Sequence, residues 1–169
     1  MREFPYSRVM VVGCPGSGKS TFSRALRDAT GLPLYPLDMM YWTPERATVP
    51  REVFRAKLCE LIEQDTWIID GNYGSTIEWR LARCNLAFFL DYPLEVCLDG
   101  IRSRFGKPRE DMPWVEIEEN AEFVEYIKRF EAESKPHILR LFERYSDKRV
   151  ITFRARAEAE VYLGGLRHE

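Results

Sequence analysis

The sequence has few of the residues that build metal sites or disulfide frameworks. It contains two histidines and four cysteines, and the cysteines form neither a C-x-x-C pair nor a metal-type cluster with the histidines. A structural zinc site is therefore not expected. The thiols are predicted to be reduced and mostly buried, as in a cytoplasmic protein. They belong to Cys14, Cys59, Cys84 and Cys97.

Long hydrophobic runs are also missing. No stretch approaches the roughly 18 apolar residues of a transmembrane helix. The first residues, MREFPY, lack the apolar core of a secretory signal. We therefore expect neither membrane insertion nor secretion, and we predict a cytoplasmic location.

The chain has no excess of positive charge. Its formal net charge is −2, which argues against a dedicated nucleic-acid binder because affinity for the DNA backbone comes from clustered cations. Five glutamates between residues 116 and 125 are predicted to form a solvated helix face. They are Glu116, Glu118, Glu119, Glu122 and Glu125.

Residues 8–20 contain the most informative pattern in the chain. An apolar run at residues 9–12 leads directly into Gly13-x-x-x-x-Gly18-Lys19-Ser20. Apolar residues then recur at helical spacing, at Phe22, Ala25, Leu26 and Ala29. A strand, a glycine-rich turn and a helix in this order are the context of the P-loop, which binds nucleotide phosphates.

The residue types of this loop predict its chemistry. Its glycines can adopt positive-φ or crowded conformations that turn backbone N–H groups toward a phosphate. Lys19 is expected between the β- and γ-phosphates of ATP, Ser20 on Mg²⁺ and Thr21 at the α-phosphate. The predicted ATP-binding segment comprises Gly13, Pro15, Gly16, Ser17, Gly18, Lys19, Ser20 and Thr21.

Strand-like and helix-like patterns alternate along the rest of the chain. We predict strands at residues 34–37, 67–69, 86–90 and 149–153, and helices at 51–64, 77–83 and 158–166. Pro93 is expected at the first position of a further helix, and Pro136 is expected to break a long amphipathic region. This alternation predicts an α/β fold with a parallel sheet covered on both faces, in three layers.

Three of the predicted strands are followed by aspartate, where parallel sheets bind ligands. Asp70 is expected to hold Mg²⁺ as a Walker-B-type acid, the alternative being a solvated turn residue. Asp38 is expected to orient or deprotonate an acceptor hydroxyl, the alternative being a loop cap. Asp91 is expected to cap the next helix.

Further residues predict an acceptor site beside the phosphates. Asn72 and Tyr73 follow the third strand and place an amide and an aromatic ring there. Arg80 is expected either to reach an anionic acceptor or to lie on the surface. Trp42 and Tyr41 are expected to wall the acceptor pocket or to belong to the core.

Residues 102–109 join two predicted helices through a segment rich in cations. A mobile lid of this kind closes over phosphates and neutralises the transferring charge. The alternative is a solvated basic loop. The candidate catalytic cations are Arg102, Arg104 and Arg109, together with Lys19 of the loop above.

Four segments together resemble the topology-modulation (FlaR-related) proteins, within the adenylate-kinase-like and shikimate-kinase-like P-loop phosphotransferases. They are residues 13–21, Leu37-Asp38 with Trp42, residues 67–73 and residues 89–93. The resemblance runs through nearly the whole chain. Asp-Gly-Asn-Tyr after a strand is its most specific part.

The resemblance implies a single kinase-like domain over residues 1–169, with a five-stranded parallel sheet in nucleoside monophosphate kinase order. It also implies an acceptor-binding region at residues 38–65 and a lid at residues 102–114. Arg102 or Arg104 would stack on adenine, and the loop from Arg154 to Arg156 would border the base. The family label suggests an influence on DNA topology without establishing direct action on DNA.

The chain departs from kinases with known acceptors. Asp70-Gly71 is followed by Asn72-Tyr73 and not by the Phe-Pro-Arg with which adenylate kinases hold AMP. The lid has no cysteines, the chain has no Asn-Lys-x-Asp guanine motif, and the run of three glycines of shikimate kinases is missing. The sequence therefore does not name the acceptor.

The sequence predicts an ATP- and Mg²⁺-dependent phosphotransferase acting on an unidentified small molecule. The alternative is a nucleotide-dependent regulatory protein that influences DNA topology and has weak ATPase activity. Direct DNA binding is not expected from the charge, and we predict a monomer or a weak dimer.

Overall fold

A five-stranded sheet in which all strands are parallel forms the centre of the molecule. The computed structural model describes residues 3–115 and 121–167. The strands follow the order β2-β3-β1-β4-β5. They are β1 Arg8–Gly13, β2 Leu34–Pro36, β3 Trp67–Asp70, β4 Leu86–Leu90 and β5 Arg149–Phe153.

Helices connect the strands and cover the sheet. The described helices are α1 Lys19–Thr30, α2 Leu37–Tyr41, α3 Arg51–Ile62, α4 Ile77–Arg83, α5 Leu94–Arg102, α6 Ala121–Arg129, α7 Lys135–Arg144 and α8 Arg156–Arg167. A short 3₁₀ helix, Gly74–Thr76, precedes α4, and a π-helical turn, Phe130–Ser134, joins α6 to α7. This architecture confirms the predicted α/β fold with a five-stranded parallel sheet.

The core lies where the helices pack on the central strands. Every residue of β3 and β4 is buried, as the continuous apolar runs of these strands require in a sheet covered on both faces. From α1, Phe22 packs edge-on against Phe88 with 4.8 Å between ring centroids, and Leu26 is fully buried. Helix α3 buries four apolar residues, Phe54, Leu58, Leu61 and Ile62.

The structure corrects several element boundaries. Strand β2 ends at Pro36, and Leu37 and Asp38 already belong to the short helix α2. Pro93 is the N-cap of α5 and not its first residue. The helical break begins at Phe130, six residues before Pro136, because the π-helical turn precedes the proline. Helix α8 begins at Arg156 and not at residue 158.

The carboxyl ends of the strands meet at one edge of the sheet. Val11 of β1 and Pro36 of β2 both pair with Asp70 of β3. On the other side, Leu90 of β4 pairs with Gly13 and with Phe153 of β5. The loops that follow these ends are therefore neighbours in space, although they are distant in sequence.

Some sequence predictions concern features outside this edge. Cys14, Cys84 and Cys97 are buried and Cys59 is exposed. Residues 116–120 of the acidic run lie outside the described residues, whereas Glu125 is exposed on α6. None of the helices described is long and apolar enough to cross a membrane.

Candidate active site

The P-loop connects β1 to α1 and depends on its glycines. Gly16 and Gly18 have φ angles of 82° and 92°, which L side chains rarely adopt. A Cβ on Gly13 would lie 2.6 Å from the carbonyl oxygen of Leu90, and one on Gly16 would lie 2.0 Å from that of Cys97. The loop thus packs tightly against β4 and α5, as the predicted crowding requires.

Arg156, the first residue of α8, donates hydrogen bonds to the P-loop from its outer side. Its Nη1 donates to the Ser17 carbonyl and its Nη2 to the Gly16 carbonyl, both at 3.0 Å. The guanidinium also lies over the ring of Tyr92, 5.6 Å from the centroid. These contacts hold the carbonyls outward, which favours an inward orientation of the N–H groups of the loop.

Lys19 lies at the mouth of the loop. Its Nζ donates to the carbonyl of Gly13 at 2.9 Å and to that of Cys14 at 3.2 Å. Burial lowers the pKa of Lys19, and the nearby Asp70 opposes that shift. The ammonium is therefore held beside the position where phosphates meet a P-loop.

A cavity of about 840 Å³ opens over the P-loop. Gly16, Gly18, Lys19, Ser20 and Thr21 form its floor. The remaining walls come from α1, from the loop between β4 and α5, from α5 and the segment after it, and from residues 154–156 after β5. They include Arg24, Tyr92, Arg104, Lys107, Arg109, Arg154 and Arg156. This volume lies in the range of small-molecule and cofactor sites, and the cationic walls suit a polyphosphate.

Arg154 lines this cavity and pairs with Asp91. The structure does not support the predicted helix cap at Asp91, because α5 has no side-chain cap and its N-cap residue is Pro93. Asp91 is instead buried and pairs with Arg154 at 2.5 Å and with Lys135 at 2.9 Å. Asp91 therefore holds Arg154 directly after the carboxyl end of β5, and the Arg154 side chain remains largely exposed.

Ser20 and Asp70 offer oxygen ligands next to Lys19. Burial raises the pKa of Asp70 to about 6, and Lys19 acts in the opposite direction. The Ser20 hydroxyl donates to the carboxylate of Asp111, and Ser20 also acts to lower the pKa of Asp70. Oxygen donors of this kind fit Mg²⁺, which is commonly held by one or two carboxylates together with substrate phosphates. Within the described residues there is no cluster of three or more metal-type side chains that would form a protein-only cage.

Asp38 and Tyr73 lie side by side in the wall of a second cavity. The Tyr73 hydroxyl donates a hydrogen bond to Oδ1 of Asp38. Burial raises the pKa of Asp38, and this hydrogen bond and Lys19 partly offset the rise. Tyr73 has a φ of 42°, which is a strained conformation for a non-glycine residue. In this conformation its side chain reaches Asp38.

The second cavity, of about 490 Å³, is called here the acceptor cavity. Tyr41, Trp42, Tyr73 and Tyr126 contribute aromatic walls, and Asp38 and Asp70 contribute carboxylates. Five residues line both this cavity and the one over the P-loop. They are Lys19, Ser20, Arg104, Arg109 and Asp111.

Two predicted acceptor ligands have other partners. Both halves of the Asn72 amide bind the backbone of Gly13, at 3.1 Å from its N–H and at 2.8 Å from its carbonyl. Arg80 is fully buried, and it donates to the Gly71 and Asn72 carbonyls and to the Thr76 hydroxyl. The guanidinium thus supports the loop after β3 from behind, and a direct contact of Arg80 with an acceptor does not fit its burial.

The candidate lid arginines occupy different positions. Arg104 and Arg109 face both cavities, and Arg109 lies 3.5 Å from Asp111. Arg102 lines neither cavity; it is exposed and pairs at 3.6 Å with Asp99, a residue at the edge of the cavity over the P-loop. The geometry therefore selects Arg104 and Arg109 over Arg102 for contact with phosphate.

Asp111 is a residue of this site that the sequence analysis missed. It is 3% exposed. It accepts a hydrogen bond from Ser20 at 2.7 Å and pairs with Arg24 at 3.2 Å. The pKa of Asp111 is low because Arg109, Ser20 and Arg24 together outweigh the effect of burial. The sequence offered one signal for Asp111, which is its position as an acidic residue just after the cation-rich segment 102–109.

Comparison with solved structures identifies the architecture. The fold matches a shikimate kinase from Bacteroides thetaiotaomicron with a TM-score of 0.60, at 21% identity over 95% of this chain and 96% of that one. It matches the shikimate kinase of Aquifex aeolicus with a TM-score of 0.57, at 19% identity over 94% and 93%. A third match is the Acinetobacter baumannii enzyme in complex with shikimate, with a TM-score of 0.57, at 18% identity over 96% and 93%.

The chain has a P-loop kinase fold. No family model and no curated protein sequence matches it. The resemblance to the topology-modulation group therefore stays a prediction. Within the P-loop kinase fold, the two adjoining cavities occupy the edge of the sheet where the strands end.

Proposed function

We propose that the protein is an ATP-dependent phosphotransferase that acts on a small-molecule hydroxyl. The observation that supports this most directly is the pair of adjoining cavities, one over the P-loop and one beside Asp38. Lys19, Arg104 and Arg109 line both of them. A phosphoryl group that passes from one cavity to the other remains next to these cations, which is the arrangement that phosphoryl transfer requires.

The nucleotide belongs in the larger cavity. The P-loop N–H groups and the amino end of α1 bind the β-phosphate, and Lys19 leaves its carbonyl partners to lie between the β- and γ-phosphates. Arg154 and Arg156 lie on the side of the cavity formed after β5, where the base and ribose are expected. We assign residues 102–114 as the lid over the nucleotide and residues 38–65 as the acceptor-binding region.

Ser20 and Asp70 are the residues that would hold Mg²⁺. When bound with ATP, this ion neutralises phosphate charge and orients the β- and γ-phosphates. Asp70 must be ionised for this role, which its pKa of about 6 permits at neutral pH. The Ser20 hydroxyl donates to Asp111 and would give up this hydrogen bond if it held the ion.

Asp38 acts on the acceptor. It accepts the proton of the acceptor hydroxyl as that oxygen forms a bond to the γ-phosphorus, while the bond from phosphorus to the β–γ bridging oxygen breaks. ADP leaves with the bridging oxygen, and Arg104 and Arg109 neutralise charge on the transferring group. Tyr73 positions the Asp38 carboxylate through its hydrogen bond.

The proposal is tested by measuring ADP release from Mg·ATP with a panel of nucleosides, nucleotides, sugars and hydroxy acids. Phosphorus NMR then identifies the product. One acceptor should stimulate ADP release and appear as a phosphoester. Asp38→Asn should abolish transfer and spare slow hydrolysis, whereas Lys19→Ala should abolish both, because Lys19, unlike Asp38, contacts the nucleotide in this proposal.

Slow hydrolysis that no acceptor stimulates would contradict the proposal. It would instead favour the alternative, a regulatory nucleotide-binding protein. No observation in the described structure favours that alternative, so it enters as an outcome of this experiment.

A further inference from the structure

The charges around the acceptor cavity are unevenly distributed. Three cations line it, Lys19, Arg104 and Arg109, and all three also line the nucleotide cavity. They therefore face the boundary where the γ-phosphate lies. When Mg·ATP is bound, these three cations compensate the negative charge of its phosphates. They are then not available to pair with a charged acceptor.

The rest of the wall carries negative charge only. Among the described residues that line the acceptor cavity but not the nucleotide cavity there is no lysine or arginine. Two carboxylates belong to this set: Asp70, whose charge the proposed Mg²⁺ would neutralise, and Asp38, whose charge would stay uncompensated. An acceptor with its own phosphate or carboxylate would find no dedicated counter-charge here.

Arg80 does not change this balance. It is fully buried behind the cavity wall, and its two terminal nitrogens donate to the carbonyls of Gly71 and Asn72. Arg46 does not line the acceptor cavity either. Its guanidinium lies over the ring of Trp114, and Trp114 in turn packs against Trp42 of the cavity wall. Neither cation can pair with an acceptor without giving up these partners.

Aromatic rings supply the apolar part of the cavity. Tyr41 packs edge-on against Trp42 and Tyr73, with ring centroids 5.1 Å and 5.0 Å away. Phe54 supports Tyr41 and Tyr73 from the core at 5.4 Å and 5.3 Å. A fixed aromatic wall beside one hydrogen-bonded carboxylate suits a ring compound whose polar contacts are hydroxyl groups.

We infer that the acceptor is an uncharged ring compound with a free hydroxyl, of the sugar, cyclic polyol or nucleoside class, and not an anion. This inference rests on the proposed function and narrows its substrate. It also separates this chain from the fold neighbour solved with shikimate, since shikimate carries a carboxylate.

Binding of matched neutral and anionic pairs tests the inference. The protein is titrated calorimetrically in Mg²⁺ and a non-hydrolysable ATP analogue with glucose and glucuronate, thymidine and its 5′-monophosphate, and shikimate methyl ester and shikimate. At least one neutral member should bind, more tightly than its anion by about tenfold or more, because Asp38 repels the anion. The sugar and nucleoside pairs distinguish the two sources of a neutral ring.

Charge variants provide the matched control. Tyr126 is exposed at the cavity rim, so Tyr126→Arg is expected to fold and to improve binding of the anionic member by about fivefold or more, whereas Tyr126→Gln is not. Asp38→Asn should reduce discrimination against the anion, measured by binding alone.

Two results would overturn the inference. One is an anion that binds as tightly as its neutral partner or more tightly. The other is failure of every neutral member to bind at about 10 mM. A neutral ligand that binds but is never phosphorylated would contradict the proposed function and leave the inference on charge intact.

Discussion

The hydrogen bond from Tyr73 changes the acidity of the Asp38 carboxyl group. Burial raises the pKa of Asp38, and the Tyr73 hydroxyl partly offsets this rise by stabilising the carboxylate. The hydrogen bond thus favours the ionised form of Asp38, which the proposed role as proton acceptor requires. The strained backbone of Tyr73 is the structural cost of that placement.

Tyr73→Phe is expected to change the pH dependence of transfer. Asp38 must be ionised, so the transfer rate falls as pH falls through its pKa. Removing the hydroxyl removes a stabiliser of the carboxylate, so the acid limb of the profile should move to higher pH. The measurement is kcat against pH with a transferring acceptor. Tyr41→Phe, which leaves the Asp38 bond intact, should keep the parent profile. An unchanged limb in Tyr73→Phe would exclude Asp38 as the titrating base.

Arg80 is structural, and its removal should be costly. Arg80→Met leaves the carbonyls of Gly71 and Asn72 without their donor, so we expect a loss of about 2–4 kcal/mol in the free energy of unfolding. Arg83→Met, on the same helix but exposed and paired with Glu63, should cost at most about 1 kcal/mol. Denaturant unfolding of both variants tests this, and equal losses would contradict the role assigned to Arg80.

At the scale of elements, α8 and the lid both act on the P-loop. Arg156 reaches two loop carbonyls from the first turn of α8, and Asp111 reaches the Ser20 hydroxyl from the lid. The loop is therefore held by segments more than 90 residues away on its carboxyl-terminal side. Nucleotide binding and lid position are expected to depend on these contacts.

Arg156→Met should weaken ATP binding while preserving the fold. Without its donors, the Gly16 and Ser17 carbonyls are no longer held outward, so the loop is less well organised for phosphate. We expect a rise of about tenfold in the Kd for Mg·ATP, by calorimetry. Arg144→Met removes an exposed cation paired with Glu78 and serves as control. Equal affinity for Mg·ATP in Arg156→Met and in this control would show that the hydrogen bonds of Arg156 do not organise the P-loop.

Asp111→Ala should open the lid. The variant loses the contacts with Ser20, Arg24 and Arg109, and trypsin should then cut after Arg104 and Arg109 several-fold faster, because cleavage follows the population of the open form. Glu110→Ala, an exposed neighbour paired with Arg27, is the matched control. If both variants are cut at the parent rate, Asp111 does not hold the lid.

At the scale of the whole molecule, local patterns predicted the fold well. The P-loop, the parallel sheet and most helix positions follow from glycine spacing, apolar runs and helical periodicity, each of which is readable over a few residues. Errors at Leu37 and Pro93 concern the first turn of a helix, where neighbouring conformations differ little in energy.

Side-chain roles that depend on distant partners were not predictable in the same way. Asn72 turned out to bind Gly13, 59 positions away, and Arg80 to bind buried carbonyls. Asp111 meets Ser20 across 91 positions. A single sequence reports residue types near a site, but these partnerships are fixed only by the packing of the complete chain.

The most direct measurement of the central claim follows the γ-phosphate itself. The protein is incubated with Mg²⁺, γ-labelled ATP and a small-molecule metabolite extract, and labelled products are identified by mass spectrometry. We predict a labelled phosphoester of a small molecule that forms with the parent protein and is absent with Lys19→Ala and with Asp38→Asn. Label that appears only in inorganic phosphate, at the same rate with and without the extract, would contradict the assignment as a phosphotransferase.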